Sequence, residues 1–564
     1  MAIAFVNLSR FTIRNFKKMK SYILKIHPAD TILVALKNLQ AGETVEYNGV
    51  TYTLKENIPA KHKFYTNDLP AGSDVIMYGV LVGKTLTNVN AGSRVSRENL
   101  KHASGSYDFR NAKYNWTPPD ISKFRNAHFN GYHRKDGRVG TANYWLFIPT
   151  VFCENRNLDV IKEVLQDELG YSVTEKYKAF TRELILAKQK GNLLADPGIP
   201  FESSLPRSRI FGNVDGIRFL NHDGGCGGIR QDSAVLGKLL AAYANHPNVG
   251  GITILSLGCQ HLQSNELMDG IKILNPGFDK PIYIFEQQQS QSEEQLIQEA
   301  IRKTFEGLTI IDRQERKPAT LDKLCIGVKC GGSDGFSGIT ANPAVGYCAD
   351  LLVALGGKVL LAEFPELCGV EQELVDRSVN ETVARKFIGL MKEYESSAER
   401  AGSGFHMNPS PGNIKDGLIT DAMKSAGAAK KGGNAPVVDV LDYTEPVTKA
   451  GLSLVCTPGN DVEATTGQAA SGATLILFTT GLGTPTGNPV CPTIKISSNT
   501  ALARRMPDII DIDTGVIIEG EKTLEEMGEE ILRYCIHAAS GEITPKAVLL
   551  NQDDFIPWKR GVSL

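Results

Sequence analysis

From residue 126 onward the chain alternates short, continuous apolar runs with longer stretches of helical period. "YWLFIPTVFCENRNLDVIKEVLQDEL" reads as a strand, a loop and an amphipathic helix, while "GITILSLGCQ" and "PIYIFEQQQ" are apolar runs that stop at polar or glycine-rich loops. "LCIGVKCGGSDGFSGITANPAVGYCADLLVALGGKVLLAEFPE" reads as one βαβ unit and "GLSLVCTPGNDVEATTGQAASGATLILFTTGLG" as another. Runs of Val, Ile and Leu that alternate with helices predict parallel sheets covered on both faces. The polar stretch "DRQERKPATLDK" near 315 divides this region into two α/β domains, 126–315 and 316–564.

The earlier residues follow another pattern. Over 19–105 "SYILKI" alternates, and "VEYNGVTY" predicts a hairpin, because Asn48-Gly49 is a favoured type I′ pair between β-formers. "DTILVALKNLQAG" predicts a short helix with Asp30 as N-cap and Gly42 past its end. "AGETV", "AGSDV" and "AGSRV" repeat one turn pattern, each leading into a strand, at spacings too uneven for a solenoid. Residues 106–125 contain Pro118-Pro119 and little periodicity, so they form a linker whose aromatics are expected to lie along a surface. The fold class is therefore a multidomain protein, with a small β-rich N-terminal domain and two α/β doubly wound, mostly parallel-sheet domains.

Composition narrows the function classes. At 564 residues the chain is long enough for about three or four domains. Its 61 Lys and Arg against 63 Asp and Glu leave a net charge of −2, which gives no case for nucleic acid or an anionic membrane as partner. No apolar run approaches the ~20 residues of a membrane span. In "MAIAFVNLSRFTIRNFKKMK" the basic residues follow a short apolar start, the reverse of a signal peptide, so 1–18 reads as an extension and Met19 as an alternative start. Ten cysteines in so long a chain are not a disulfide scaffold, and the expected compartment is the cytoplasm, where thiols stay reduced.

The candidate chemistry lies on loops. Ligands of open α/β sheets bind beyond the carboxyl ends of the strands. Cys259 closes "ITILSLGCQ", Cys330 closes "LCIGVKC", and Cys226 sits in the glycine loop "NHDGGCGGIR" with His222 and Asp223. Cys325, Cys348 and Cys535 are embedded in apolar segments and read as small hydrophobes, a role equally open to any single loop cysteine. Three in equivalent positions point to a shared site, although none has zinc-type pair spacing. "KCGGSDGFSGITANP" offers Lys329, Cys330, Ser333, Asp334, Ser337 and Asn342 between a strand and a helix, where backbone N–H groups favour an anion. It matches neither the phosphate loop nor the dinucleotide fingerprint. His62 lies between Lys61 and Lys63, whose charges favour a neutral, base-competent imidazole.

"KCGGSDGFSGITANP", "NPSPGN", "AEFPELCGVEQ", "HPADTILVAL", "IPAKHK" and the closing "GVSL" resemble the signatures of the altronate branch of the sugar-acid dehydratases, a family that includes galactarate dehydratases. The resemblance runs from Met19 to Leu564, with the small module similar to a SAF (β-clip) domain. It implies a hydro-lyase that converts D-altronate to 2-dehydro-3-deoxy-D-gluconate with Fe2+ as the usual metal. Under that reading His62 is the base or shuttle, or alternatively a metal ligand, and His222 is a second acid–base group. Lys329 is a countercharge, and Ser333, Asp334 and Asn342 hold substrate. Glu363 and Glu366 serve as ligands, acids or substrate contacts. Cys226, Cys259 and Cys330 bind iron, as a single ion or as an iron–sulfur cluster with an open position; Mn2+ is the alternative metal. Thiolates suit iron and are poor partners for Mg2+.

Two departures stand out. The family usually has Gly-His-Lys where this chain has Lys61-His62-Lys63, and it tends to carry an acid where Gln260 stands. Competing readings are a galactarate dehydratase, a sulfolactate sulfo-lyase, and a non-catalytic sugar-acid-binding regulatory protein. The expected partner is a small sugar acid, and a homo-oligomer is compatible with all of these readings.

Overall fold

The computed structural model describes residues 22–190 and 208–561; the expected extension over 1–18, the Met19 start and most of the closing "GVSL" lie outside the described residues. The chain forms two units. One joins the residues up to Asn130 with Pro318–Ala547, and the other joins Gly131–Lys317 with the stretch from Val548 onward.

In the first unit the N-terminal module is built from short antiparallel strands. Thr44–Tyr47 and Val50–Thr53 form the expected hairpin, with Asn48 and Gly49 at φ 50° and 81°. The three Ala-Gly turns place Gly42, Gly72 and Gly92 at φ 80°, 85° and 85°. Each is fastened in the same way: a side-chain oxygen of Asn57, Asn88 or Asp68 accepts the N–H of Ala41, Ala71 or Ala91 at 2.9, 3.0 and 2.8 Å.

The helix expected over "DTILVALKNLQAG" is corrected to a strand, Ile32–Ala35, between Ile23–Leu24 and Lys63–Tyr65. Its four consecutive residues are all buried, which a single amphipathic turn cannot achieve and a central strand requires. Asp30 caps no helix. Its carboxylate instead accepts the N–H groups of His27 and Gly79, both at 2.9 Å. The linker aromatics lie on the α/β part of the same unit, where Tyr114 Oη donates to the Asn434 carbonyl at 2.6 Å and Arg385 stacks over Phe109.

That α/β part is organised by a seven-stranded sheet ordered Val437–Leu441, Gly451–Val455, Lys358–Leu361, Cys325–Cys330, Leu475–Thr480, Thr493–Ser497, Ile512–Asp513. All neighbours are parallel. Cys325–Cys330, first in chain order, lies in the middle, so connections run outward from it in both directions. A point where strand order diverges in this way leaves a crevice at the carboxyl ends, where α/β proteins bind ligands.

The second unit has a four-stranded parallel sheet ordered Gly216–Phe219, Tyr144–Pro149, Val249–Ser256, Ile282–Glu286. The C-terminal stretch belongs here because the buried Arg218 pairs with Asp553 at 2.7 Å and Phe555 packs edge-on against Tyr243. No helix among the described residues is long and apolar enough to cross a membrane.

Candidate active site

Cys330 ends the central strand of the seven-stranded sheet, and the chain then turns sharply through Gly331 and Gly332. A Cβ on Gly331 would lie 2.4 Å from an Asp461 carboxylate oxygen, so only glycine lets that acid approach. The neighbouring strand, Lys358–Leu361, leads to Glu363, which is fully buried in the left-handed region at φ 73°. Non-glycine residues held there are strained by about 1–2 kcal/mol, and such strain collects at functional sites. The conformation turns the Glu363 carboxylate under Cys330, whose N–H donates to it at 3.3 Å.

A buried charge network surrounds this point. Lys329 donates to Glu363 and, at 2.8 Å, to Asp461. Lys431 reaches Glu363 at 2.9 Å and the Cys330 thiol at 3.1 Å, and Lys424 pairs with Glu366 at 2.7 Å. Three ammonium groups thus face three carboxylates, with Asp461 and Lys424 the more exposed edge. Burial raises Glu363 above the usual carboxylate range, reinforced by the charge of Glu366 and opposed by Lys329 and Lys431. Burial also pushes Glu366 upward, but Lys424, Lys329 and Lys431 outweigh it and hold that carboxyl at about 2. Two adjacent carboxyls are thus driven in opposite directions. Burial and the charge of Glu366 push the Cys330 thiol up to about 12.

Cys330, Glu363 and Glu366 have ligand atoms within 4.8 Å of one another, which is metal-like spacing. The residues nonetheless fit a metal ion poorly. The Lys431 ammonium already stands among them, 3.1 Å from the thiol, 2.9 Å from Glu363 and 4.0 Å from Glu366. A dication there would meet three lysines.

The N-terminal module packs onto this part of the unit. His62 Nε2 lies 3.0 Å from the Lys415 carbonyl, and Lys63 donates to the Gly417 carbonyl at 2.6 Å. Lys61 bridges Asp334 at 3.0 Å and Asp416 at 3.1 Å. The anion expected in the loop before the Ala341–Ala354 helix is the chain's own Asp334. Its carboxylate accepts the N–H groups of Phe336 and Ser337 and the hydroxyls of Ser337 and Ser498. Asn342 bonds the Gly427 carbonyl and the Thr479 hydroxyl, and the Ser333 carbonyl accepts from Asn413. These three residues therefore shape the loop around the network.

His222, Cys226 and Cys259 belong to the second unit, and Cys330 to the first. The companion of Cys226 and Cys259 is Cys153, whose thiol is raised by burial and then by the charges of those two cysteines. His222 is buried, with Nδ1 accepting the Gly224 N–H at 3.0 Å and Nε2 facing the Pro149 carbonyl at 2.9 Å. Nε2 thus fastens the glycine loop to the end of the first strand, while Nδ1 bonds within the loop.

Three family models match in series: "Altronate/galactarate dehydratase SAF domain" over 21–103, "D-galactarate dehydratase/Altronate hydrolase, second domain" over 131–312, and "D-galactarate/Altronate dehydratase, C-terminal" over 321–563. An altronate dehydratase of Bacillus subtilis is 33% identical over 97% of this chain and 100% of its own length. An altronate dehydratase of Escherichia coli is 31% identical (92% of this chain, 96% of its own), and a galactarate dehydratase of that organism 30% (93% of each). The chain belongs to the altronate/galactarate dehydratase family. It is a hydro-lyase, a sugar-acid dehydratase.

In this dehydratase the Lys61 departure has a structural counterpart. Lys61 sits at φ 77°, where glycine carries no penalty, and its ammonium is held by the two aspartates. Lys61→Ala and Lys61→Gly both remove the ion pairs, but only alanine keeps the strain. Denaturant unfolding of the two variants should place Lys61→Ala about 1 kcal/mol below Lys61→Gly; identical midpoints would contradict the strained conformation. Lys424, Lys431 and Asp461 were not singled out from the sequence. The signal was present in "AAKKGG", where a lysine pair stands among small residues with no polar neighbours.

Proposed function

We propose that the dehydratase removes water from D-altronate to give 2-dehydro-3-deoxy-D-gluconate. The observation that carries this reading is the 33% identity to an altronate dehydratase over its whole length, and the site that supports it is the pair Glu363 and Glu366 among buried lysines at the divergence point of the sheet. The C2 proton beside a carboxylate is weakly acidic, so cations must absorb charge as the enediolate develops. Lys329 and Lys431, both held protonated by the surrounding acids against the cost of burial, supply that charge. His62, kept neutral chiefly by burial, takes the C2 proton. Glu363, whose carboxyl burial makes less acidic than its neighbour, delivers the proton with which the C3 hydroxyl leaves as water. The enol then tautomerises to the keto acid, and transfer of the His62 proton back to Glu363 restores the starting state. Beside Cys330 the positive charge is that of Lys431.

Incubating reduced, iron-supplemented protein with D-altronate, galactarate and sulfolactate, and following keto acid and sulfite, tests the substrate. Keto acid from altronate is the expected result. Turnover of galactarate alone would overturn the substrate assignment, sulfite release would identify a sulfo-lyase, and inertness to all three would favour a binding protein.

A further inference from the structure

The chain has three exposed cysteines, Cys153, Cys226 and Cys259, and the other seven are buried. The four-stranded sheet of the second unit brings these three together. In chain order its strands run second, first, third, fourth, so Tyr144–Pro149 lies between Gly216–Phe219 and Val249–Ser256. Cys153 follows the first of these strands, Cys226 the second and Cys259 the third. Adjacent strands are about 4.8 Å apart, so loops leaving their carboxyl ends converge. Backbone bonds hold them there. Phe152 N–H donates to the Gly224 carbonyl at 3.0 Å, and His261 N–H to the Gly225 carbonyl at 3.1 Å. Gly225 is at φ 96°, and a Cβ on it would lie 2.3 Å from the Thr150 carbonyl, so the loop of Cys226 presses closely on the loop of Cys153.

Three thiols delivered by three neighbouring loops of one sheet form an all-sulfur donor set, the set that holds iron–sulfur clusters. Directly after Cys153, Glu154 Oε1 and Asn155 Oδ1 are buried without a partner. Gln260 is not a further ligand: its amide is spent on Gly258 N–H at 2.7 Å, Ser256 Oγ at 2.7 Å and the Leu262 carbonyl at 3.0 Å, which holds the Cys259 loop.

We propose that Cys153, Cys226 and Cys259 are the three thiolate ligands of an iron–sulfur cluster in the second unit, with one iron left without a cysteine. Each thiol loses its proton on binding. The proposal does not depend on the substrate. The full chain, purified without oxygen and reconstituted with ferrous iron and sulfide, should hold about four irons and four acid-labile sulfides per chain, with broad visible absorption. Cys153→Ser, Cys226→Ser and Cys259→Ser should each lose most of the sulfide and the absorption, while Cys330→Ser keeps both. Circular dichroism confirms that each variant is folded, since serine at an exposed position disturbs little packing. Iron without sulfide, one zinc per chain, a disulfide among the three under anaerobic conditions, or loss in Cys330→Ser alone would overturn the assignment. The metal and sulfide assay reads separately from altronate turnover, so either proposal can fail without the other.

Discussion

Lys431→Met should abolish dehydration and destabilise the first unit by about 3–5 kcal/mol, the usual cost of removing one partner from a buried ion pair. Lys431 is fully buried between Glu363 and the Cys330 thiol, with Glu366 4.0 Å away, so methionine fills the space and leaves the Glu363 charge with Lys329 alone. Glu363 would then be driven further toward its neutral form. A second substitution separates the electrostatic effect from packing. Glu363→Gln on the Lys431→Met background removes the uncompensated charge and should recover part of the lost stability, with no recovery of activity. Denaturant unfolding and keto-acid release measure the two effects. Turnover by Lys431→Met close to that of the parent chain would remove this lysine from the mechanism.

The consequences of local chemistry were legible in the sequence, and those of strand order were not. Asn48-Gly49 and the Ala-Gly turns adopt positive φ because glycine and asparagine tolerate it wherever they stand. Ile32–Ala35 was misread because a short apolar run has no decisive period; burial on both faces, a tertiary fact, settles it. The loop cysteines stand after strand ends, and which of those strands are neighbours is not written in the sequence. Cys330 belongs to the central strand of one sheet, while Cys226 and Cys259 flank the strand that leads to Cys153 in the other. Asp334 and Asn342, expected to hold substrate, each meet partners within the chain more than 80 residues away. Lysines 424 and 431 show the same limit: their acids come from residues near 363, and only the fold brings them within reach.

His62→Ala should lower kcat by about 10²–10⁴-fold, the range of general acid–base catalysis, while the fold persists. The lost contact to the Lys415 carbonyl is a single hydrogen bond, worth about 1 kcal/mol, on a residue that is only half-buried. Burial pushes His62 below its ordinary 6.5; the Lys415 carbonyl opposes this, and the charges of Lys63 and Arg94 add to it. A base must be neutral to act, so kcat/KM should fall as pH drops through a range below 6.5, while loss of the Glu363 proton sets a separate fall on the alkaline side. The stability contribution has the same sense: between the depressed folded value and 6.5 the unfolded chain binds the proton more readily, so stability is lost as pH falls through that window. One neighbour titrates nearby. Burial brings Lys63 down to about 7, with its ammonium on the Gly417 carbonyl. The pH profile of Lys63→Met therefore decides ownership of the acid limb. If the limb remains below 6.5 in Lys63→Met and the rate collapses in His62→Ala, the imidazole is the base. If the limb disappears with Lys63, or His62→Ala turns over at near-normal rate, proton abstraction belongs to another group.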